Sequence, residues 1–539
     1  MPWLSSGSPS PQGSPRMSSP PQTSAEPSIT YVPPLIDGAC GSLPQAYQSP
    51  ISLLRSDARR FVRRMPAVAR AGWTNYNARR KTTSWRDMGE TALQMIVSGI
   101  EIYTLVSIVP LWLCLPGALF CAWLALCMVL VMGICRMLNA DDEVIRHSAS
   151  AANRPEAFSM GPELEEERWI FIGGMGTSSR TLAKSTLPKV SKIFNRPITA
   201  VQMYTWGLPF DVLAMMVQRS FGLSNSASQT LYNQLRVALL DTRLHRVVVL
   251  AHNQGAVTTS QILSRLYADV PSEKLARLEI YTFGSLASEF VIPVGEPKPA
   301  KEQNGQHDFV PERREPHIEH FAHASDPWAQ LGVIRSVKED LEGRYCGGVF
   351  VINNYNGKST SSKKALVPAM QLDDYLTCLF PTPAKQQLPF QQPPSPISAP
   401  GSPLSPPPPP TPGVTGMPGF TSMTGPRSIL DSIMVIDREV AEKREFTAMA
   451  NHPLLTRGGK DKKKRLSWTG LGAMAGGRNG IMDGVRGLEM ARKGCKDCDG
   501  HRGREVSWLV RYVNISQYMM DAKDVMGMRS ESPAMTRMK

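Results

Sequence analysis

The sequence predicts an α/β protein: a mostly parallel sheet with helices on both faces, preceded by a transmembrane segment and flanked by disordered regions. Three observations predict it. Between residues 166 and 381, short β-branched runs alternate with helical stretches. One of those runs, Val247 to Leu250, enters a tight polar turn that opens directly into a helix near Ala256. From 102 to 135 the chain carries no charged residue.

The membrane segment comes first. A bilayer span needs about 20 apolar residues, so 102–135 is long for one helix and short for two with a proper loop. Pro110 and Pro116-Gly117 interrupt it. The transmembrane segment is bounded at 88–137. It is either one span from about 113 to 135, or a hairpin turning at Pro116-Gly117 whose first arm reaches back past Glu101. A buried soluble hairpin is the plain alternative. The net charge of +14 is uneven, and ten basic residues between Arg55 and Arg86 lie just before this segment. That position suits an anionic cytoplasmic membrane face better than nucleic acid, and no nucleic acid partner is expected. The basic segment 51–87 reads as juxtamembrane, an amphipathic helix on lipid or a solvated linker. The expected partner is membrane lipid and the expected location an intracellular membrane. A hairpin keeps the rest of the chain on the cytoplasmic side; one span exports it.

The flanks are low in complexity. Residues 1–50 are rich in Ser, Pro, Gln and Gly and are expected to be disordered. No basic stretch followed by an apolar one opens them, so no signal peptide is expected. Residues 138–165 read as a polar tether. The globular domain is set at 166–381, with strands at 168–172, 198–204, 247–250, 278–283, 317–323 and 345–352. Helices are expected at 181–194, 210–221, 226–240, 256–267 and 372–379, and a polar exposed insertion at 296–315. A Pro-rich linker follows at 382–426. It is either a spacer or a polyproline stretch that SH3- or WW-type domains could dock. The tail, 427–539, is basic and largely disordered, with one helix expected at 428–449. Cys495, Cys498 and His501 make at most half a zinc pattern, so no metal or cofactor is expected. Asn514-Ile515-Ser516 is a glycosylation sequon, meaningful only in a lumenal tail. Cys346 and Cys378 are the two cysteines of the globular region.

The turn after Val247–Leu250 carries the functional signal. Strand, sharp turn and helix make a nucleophile elbow, normally written G-x-S-x-G. Here Ala251 takes the first small position, Gly255 the last, and Asn253 the serine position. Asparagine tolerates the positive φ that an elbow residue needs. Its amide is a poor nucleophile with no accessible ionised form.

The blocks Arg168-Trp-Ile-Phe-Ile-Gly-Gly174, Pro197 to Gly207, Phe210-Asp211 with Gln218-Arg219, Ala251-His-Asn-Gln-Gly255, Leu278 to Gly284 and His317 to Asp326 with Leu331-Gly-Val333 occur in that order. Together they resemble a fungal family of α/β-hydrolase-fold proteins related to serine esterases and lipases. This chain looks like a degenerate, pseudo-hydrolase version. The resemblance covers roughly 168–381, under half of the chain. It implies a His-Ser-Gln-Gly elbow where this chain reads His252-Asn253-Gln254-Gly255. It also implies an acid at Asp326, and a histidine just before a terminal block that here reads Tyr375 to Pro381. No histidine occurs between His323 and His452.

Such a fold hydrolyses esters by a serine attacking a carbonyl while a histidine, held by a carboxylate, takes its proton. Two of those three roles are therefore expected to be empty. The oxyanion side remains, with Gly173 and Gly174 after the first strand and Gln254 and Gly255 after the elbow residue. His252 reads as a packed neighbour of the elbow. Ser260 and Thr258 lie inside the following helix and are weak substitute nucleophiles. His317 and His323 share a strand face about 20 Å apart, at ~3.3 Å per residue, too far for one metal. The expected function is binding or scaffolding at a membrane by a catalytically impaired α/β-hydrolase-fold protein. The alternative is an active lipase or esterase, cleaving lipid or acyl esters through an unrecognised nucleophile. A third reading is an adaptor that recruits partners through the linker and the tail.

Overall fold

The computed structural model describes residues 28–34, 49–80, 85–139, 142–148, 166–292, 316–338, 345–353, 370–381, 428–432, 434–437, 440–441 and 506–513. The insertion at 296–315, the Pro-rich linker, Cys495, Cys498, His501 and the Asn514 sequon lie outside the described residues.

The chain opens with β1 (Ser28–Val32), α1 (Pro50–Arg80), α2 (Trp85–Cys114) and α3 (Gly117–Leu138). Next come β2 (Val144–His147), β3 (Glu167–Ile172), α4 (Ser179–Thr181), a π turn (Leu182–Thr186), α5 (Leu187–Phe194) and β4 (Ile198–Val201). Helices α6 (Leu208–Phe221) and α7 (Ser226–Leu240) lead to β5 (Arg246–His252), α8 (Gln254–Asp269), α9 (Ser272–Leu275) and β6 (Leu278–Phe283). Then follow β7 (His317–His323), α10 (Pro327–Leu331), α11 (Val333–Lys338), β8 (Gly348–Asn353) and α12 (Leu372–Leu379). A 3-10 turn (Ile429–Asp431), β9 (Met434–Ile436) and a second 3-10 turn (Trp508–Tyr512) complete the described elements.

The strands form one nine-stranded sheet in the order β2-β4-β3-β5-β6-β7-β8-β1-β9. From β4 to β8 every neighbouring pair is parallel. Antiparallel β2 closes one edge, and β1 runs antiparallel to β8 on the other side. Strand side chains alternate between faces, and both faces are covered. Ile170, Ile172, Val247 and Val249 point into one core with Leu231 and Leu235 of α7 and Ile262, Leu263 and Leu266 of α8. Trp169, Phe171, Val248 and Leu250 point into the other, against Leu187, Val190 and Phe194 of α5 and Tyr375 and Leu376 of α12. Burial on both faces explains why β5 reads as an unbroken apolar run rather than an alternating one.

The apolar segment forms two helices joined at Leu115-Pro116, the hairpin arrangement. Gly89–Cys114 spans 26 residues at mean hydropathy 1.8, and Gly117–Leu138 spans 22 at 2.6. Both are long and apolar enough to cross a membrane, and only 17% of each apolar window is buried against the rest of the protein. That exposure argues against a buried soluble hairpin.

Several expectations need correction. Ser28–Val32, placed in a disordered leader, pairs along its whole length with β8. Its Ser-Ile-Thr-Tyr-Val sequence has the alternating β-branched pattern of a strand, but Pro-rich neighbours mask it. Residues 144–147, placed in a tether, form edge strand β2. Helix α1 docks on the globular domain. Asp57 accepts from Arg335 at 3.0 Å and lies 3.6 Å from Arg219, and Phe61 stacks on Trp328 at 6.2 Å. Where a helix was expected at 428–449, residues 429–431 form a 3-10 turn and 434–436 strand β9, while 442–449 lie outside the described residues. Residues 506–513, placed in a disordered tail, pack on the sheet. Strand β4 stops at Val201, because Gln202 to Gly207 turn toward α2. Cys346 and Cys378 are both buried, and no disulfide joins them.

Candidate functional site

Asn253 joins β5 to α8 with φ 48° and ψ −111°, a conformation that L residues rarely adopt. Asn253 N–H donates to Phe283 O at 3.0 Å, and Asn253 O accepts from Ala256 at 3.2 Å and Leu286 at 3.3 Å. The helix then passes so close to β3 that a Cβ on Gly255 would lie 2.6 Å from Ile172 O and 2.7 Å from Gly173 O. Only glycine fits there. A Cβ on Gly174 would lie 2.9 Å from both Asn253 Cβ and His252 Nδ1. The structure therefore brings Gly173, Gly174, Asn253, Gln254 and Gly255 together. Gln254 opens α8, so its N–H lies outside the helix's own hydrogen bonding.

Asp326, the expected acid, lies at the same junction. Asp326 caps α10, accepting from Trp328 N–H at 2.9 Å. Its second oxygen accepts from Tyr375 Oη at 2.6 Å, and that phenol oxygen accepts from His323 N–H at 3.1 Å. Gly284 shows how closely these groups converge. A Cβ there would lie 2.6 Å from Asp326 Oδ2, 2.8 Å from Asn253 Oδ1 and 3.0 Å from Tyr375 Oη. Tyr375, and no histidine among the described residues, is the side chain that donates to the Asp326 carboxyl. Sequence reasoning looked for an imidazole before the Tyr375 block and passed over the tyrosine itself.

Burial sets the electrostatics. It pushes the Asp326 carboxyl up to about 7, against hydrogen bonds from Tyr375 and Trp328 that pull it down. Burial pushes the His252 imidazole down to about 4 and that of His323 to about 3, so both are neutral at pH 7. The Tyr375 phenol is held well above its ordinary range, first by burial and then by the Asp326 charge. Asn253 is 4% exposed, and its Oδ1 has no hydrogen-bond partner among the described residues. The three histidines of β7 are divided. His317 bonds Glu319 at 2.8 Å, and His320 bonds Thr282 at 2.7 Å and Cys346 O at 2.9 Å. His323 stacks edge-on against Tyr375 with ring centroids 4.5 Å apart. Ser260 Oγ donates to Val257 O at 2.9 Å inside α8, and Thr258 accepts from Gln218 at 3.3 Å. Neither stands at the elbow turn.

The loops beside the elbow are tied to the base of the helical hairpin. Gln94 of α2 donates to Gly176 O at 2.8 Å, and Glu90 accepts from Ser178 at 2.7 Å and Thr181 at 2.8 Å. Glu101 accepts from Phe210 N–H at 3.3 Å. Asp211 draws the two loops together, accepting from Gly176 N–H at 3.2 Å, Thr205 at 2.6 Å and Trp206 N–H at 2.8 Å. None of these hairpin contacts was anticipated, because nothing local in the sequence signals them.

No family model matches the chain, and no curated protein matches it.

Proposed function

We propose that this chain is a membrane-anchored, α/β-hydrolase-type protein that has kept the elbow, discarded the nucleophile and works by binding. The observation that carries the reading is Asn253, in elbow geometry, with Tyr375 rather than a histidine on Asp326. A buried amide cannot supply an alkoxide, and a phenol that donates to the acid cannot take a proton from a hydroxyl. What remains is a polar, dry junction of Gly174, Gln254 and Asn253 suited to a carbonyl or carboxylate.

The hairpin would anchor the domain in the bilayer, with the basic α1 flank and the globular domain on the cytoplasmic side. The outer face of α1 supports this. Val62, Met65 and Trp73 are exposed there among Arg59, Arg63 and Arg70, a pattern suited to an anionic lipid surface. The test is fluorophosphonate labelling of the full chain, since α1, β1 and residues 506–513 all contribute to the cores. The wild type is expected to remain unlabelled. Labelling that persists in Asn253→Ala would overturn the reading and place a nucleophile elsewhere.

A further inference from the structure

Two carboxylates lie buried side by side on one face of the sheet, far from the elbow. Glu279 of β6 is 5% exposed and Glu319 of β7 is 3% exposed, and Tyr281, two residues on from Glu279, pairs with Glu319 across the strands. Residues 506–513 dock on them. Ser507 Oγ donates to Glu319 Oε2 at 2.7 Å, and Trp508 N–H donates to Oε1 at 2.6 Å. At the other end Arg511 pairs with Glu279 Oε1, and Tyr512 Oη donates to Glu279 Oε2 at 2.6 Å. Rings close the contact. Trp508 stacks on His317 at 3.9 Å, Arg511 lies 4.4 Å over Trp508, and Tyr512 meets Trp169 edge-on at 4.9 Å. Leu509 is fully buried.

This is a short segment held by two carboxylates, a few rings and the buried side chains of Leu509, Val510 and Val513. It is joined to the sheet by no strand pairing, and residues 437–505 separate it from β9. Ser507 is its most exposed weakness in chemical terms, though it is 5% exposed in the docked form. Its hydroxyl donates to a carboxylate, so it cannot become an anion in place. Its sequence context is Arg502-Gly-Arg504-Glu-Val-Ser507-Trp508, with arginines three and five residues upstream. Such a pattern matches kinases that read basic residues with an acidic groove.

We infer that residues 506–513 are a detachable latch and that Ser507 is a phosphorylation site whose modification releases it. A basophilic serine/threonine kinase supplies the chemistry with ATP. The bond from the β–γ bridging oxygen to the γ-phosphorus breaks, a Ser507 Oγ–phosphorus bond forms, the hydroxyl proton leaves to the kinase base, and ADP departs. The product carries about two negative charges where one hydroxyl proton bridged to Glu319. Among the described residues the side chains facing it are Glu319, Glu279, His317 and Arg511, and Arg511 is already paired with Glu279. Repulsion and lost hydrogen bonds then undo the docking. Because Ser507 is covered, the kinase reaches it only when the latch opens.

The test uses the full chain in detergent, treated with a basophilic kinase and ATP. Sites are mapped by mass spectrometry, with Ser507→Ala as the control. Hydrogen exchange is followed at 508–513 and, separately, at 247–250. Phosphate is expected at Ser507, with exchange at 508–513 accelerated by about tenfold or more and the 247–250 amides unchanged. Arg511→Ala, which loosens the latch from the Glu279 end, is expected to speed the modification several-fold. The inference is overturned if Arg511→Ala takes no phosphate at Ser507. It is equally overturned if the phosphorylated chain keeps its protection at 508–513, or if 247–250 loses protection in step, since the segment would then be no separable latch.

Discussion

The positive φ at Asn253 makes a prediction that separates an elbow from an ordinary turn. Asn253→Gly and Asn253→Ala both delete the amide and its unpartnered Oδ1, so they differ only in the Cβ. At φ 48° and ψ −111° a Cβ costs about 1–3 kcal/mol. Against this, glycine loses about 0.5–1 kcal/mol more backbone entropy than alanine on folding. The balance favours the glycine variant by up to about 2.5 kcal/mol, centred near 1 kcal/mol. For a domain of this size a difference of about 1 kcal/mol is a midpoint higher by roughly 2–4 °C than the alanine variant's, at ~2–4 °C per kcal/mol. The assay is thermal unfolding of both full-length variants in one detergent, followed by circular dichroism. At most ordinary positions the order would be reversed. An alanine variant as stable as the glycine variant, or more so, would mean that residue 253 has negative φ. No elbow would then exist, and the hydrolase-type reading of the site would fall with it.

Two further outcomes follow from the site. Burial lifts Asp326 to about 7, so the folded protein holds a proton that the unfolded chain releases near pH 4. This stabilisation is fully present below about pH 4 and is lost as pH rises through 7. Asp326→Asn cannot titrate, so the stability of the wild type relative to the variant should fall between pH 4 and 7 in denaturant titrations; a flat difference would contradict the burial. Gly207→Ala strikes the joint between hairpin and domain. Gly207 has φ 107°, and a Cβ there would collide with the Glu101 carboxylate and lie 2.5 Å from Val97 Cγ1. A loss of about 2 kcal/mol or more is expected, with faster hydrogen exchange at 174–178; unchanged exchange would mean that the hairpin does not brace the loop.

Much of the fold was legible because its central strands are short, β-branched and buried on both faces. The segments 278–283, 317–323, 226–240 and 372–379 stand where the pattern places them. The elbow was legible for the same reason, since a local strand–turn–helix signal with Gly255 needs no distant partner. What escaped depends on distant partners. Strand β1 has meaning only opposite β8, with Thr30 bonded to Asn353 at 2.7 Å across most of the globular domain. Segment 506–513 has meaning only against Glu279 and Glu319, and in isolation it is one more stretch of a basic tail. The dependence of α1 on Arg219 and Arg335 is of the same kind. Its basic outer face is conspicuous in sequence, and the single acid that docks it, Asp57, is not.

On the proposed reading, Tyr375 bears on why a serine placed at 253 would not by itself give a hydrolase. A serine at 253 would find Asp326 at the same junction, but the group that converges there with them is a phenol. That phenol donates its proton to Asp326 at 2.6 Å and uses its oxygen to accept the His323 N–H at 3.1 Å. Both of its functions are spent on structure, and burial beside a carboxylate opposes its ionisation. The nearest imidazoles do not fill the gap. The His323 backbone is bound to the phenol and its ring packs against it, while His252 points toward Gly174. The asparagine and the tyrosine therefore describe one arrangement. The elbow residue keeps the backbone turn, the tyrosine satisfies the buried acid, and the proton relay that would link them has no carrier.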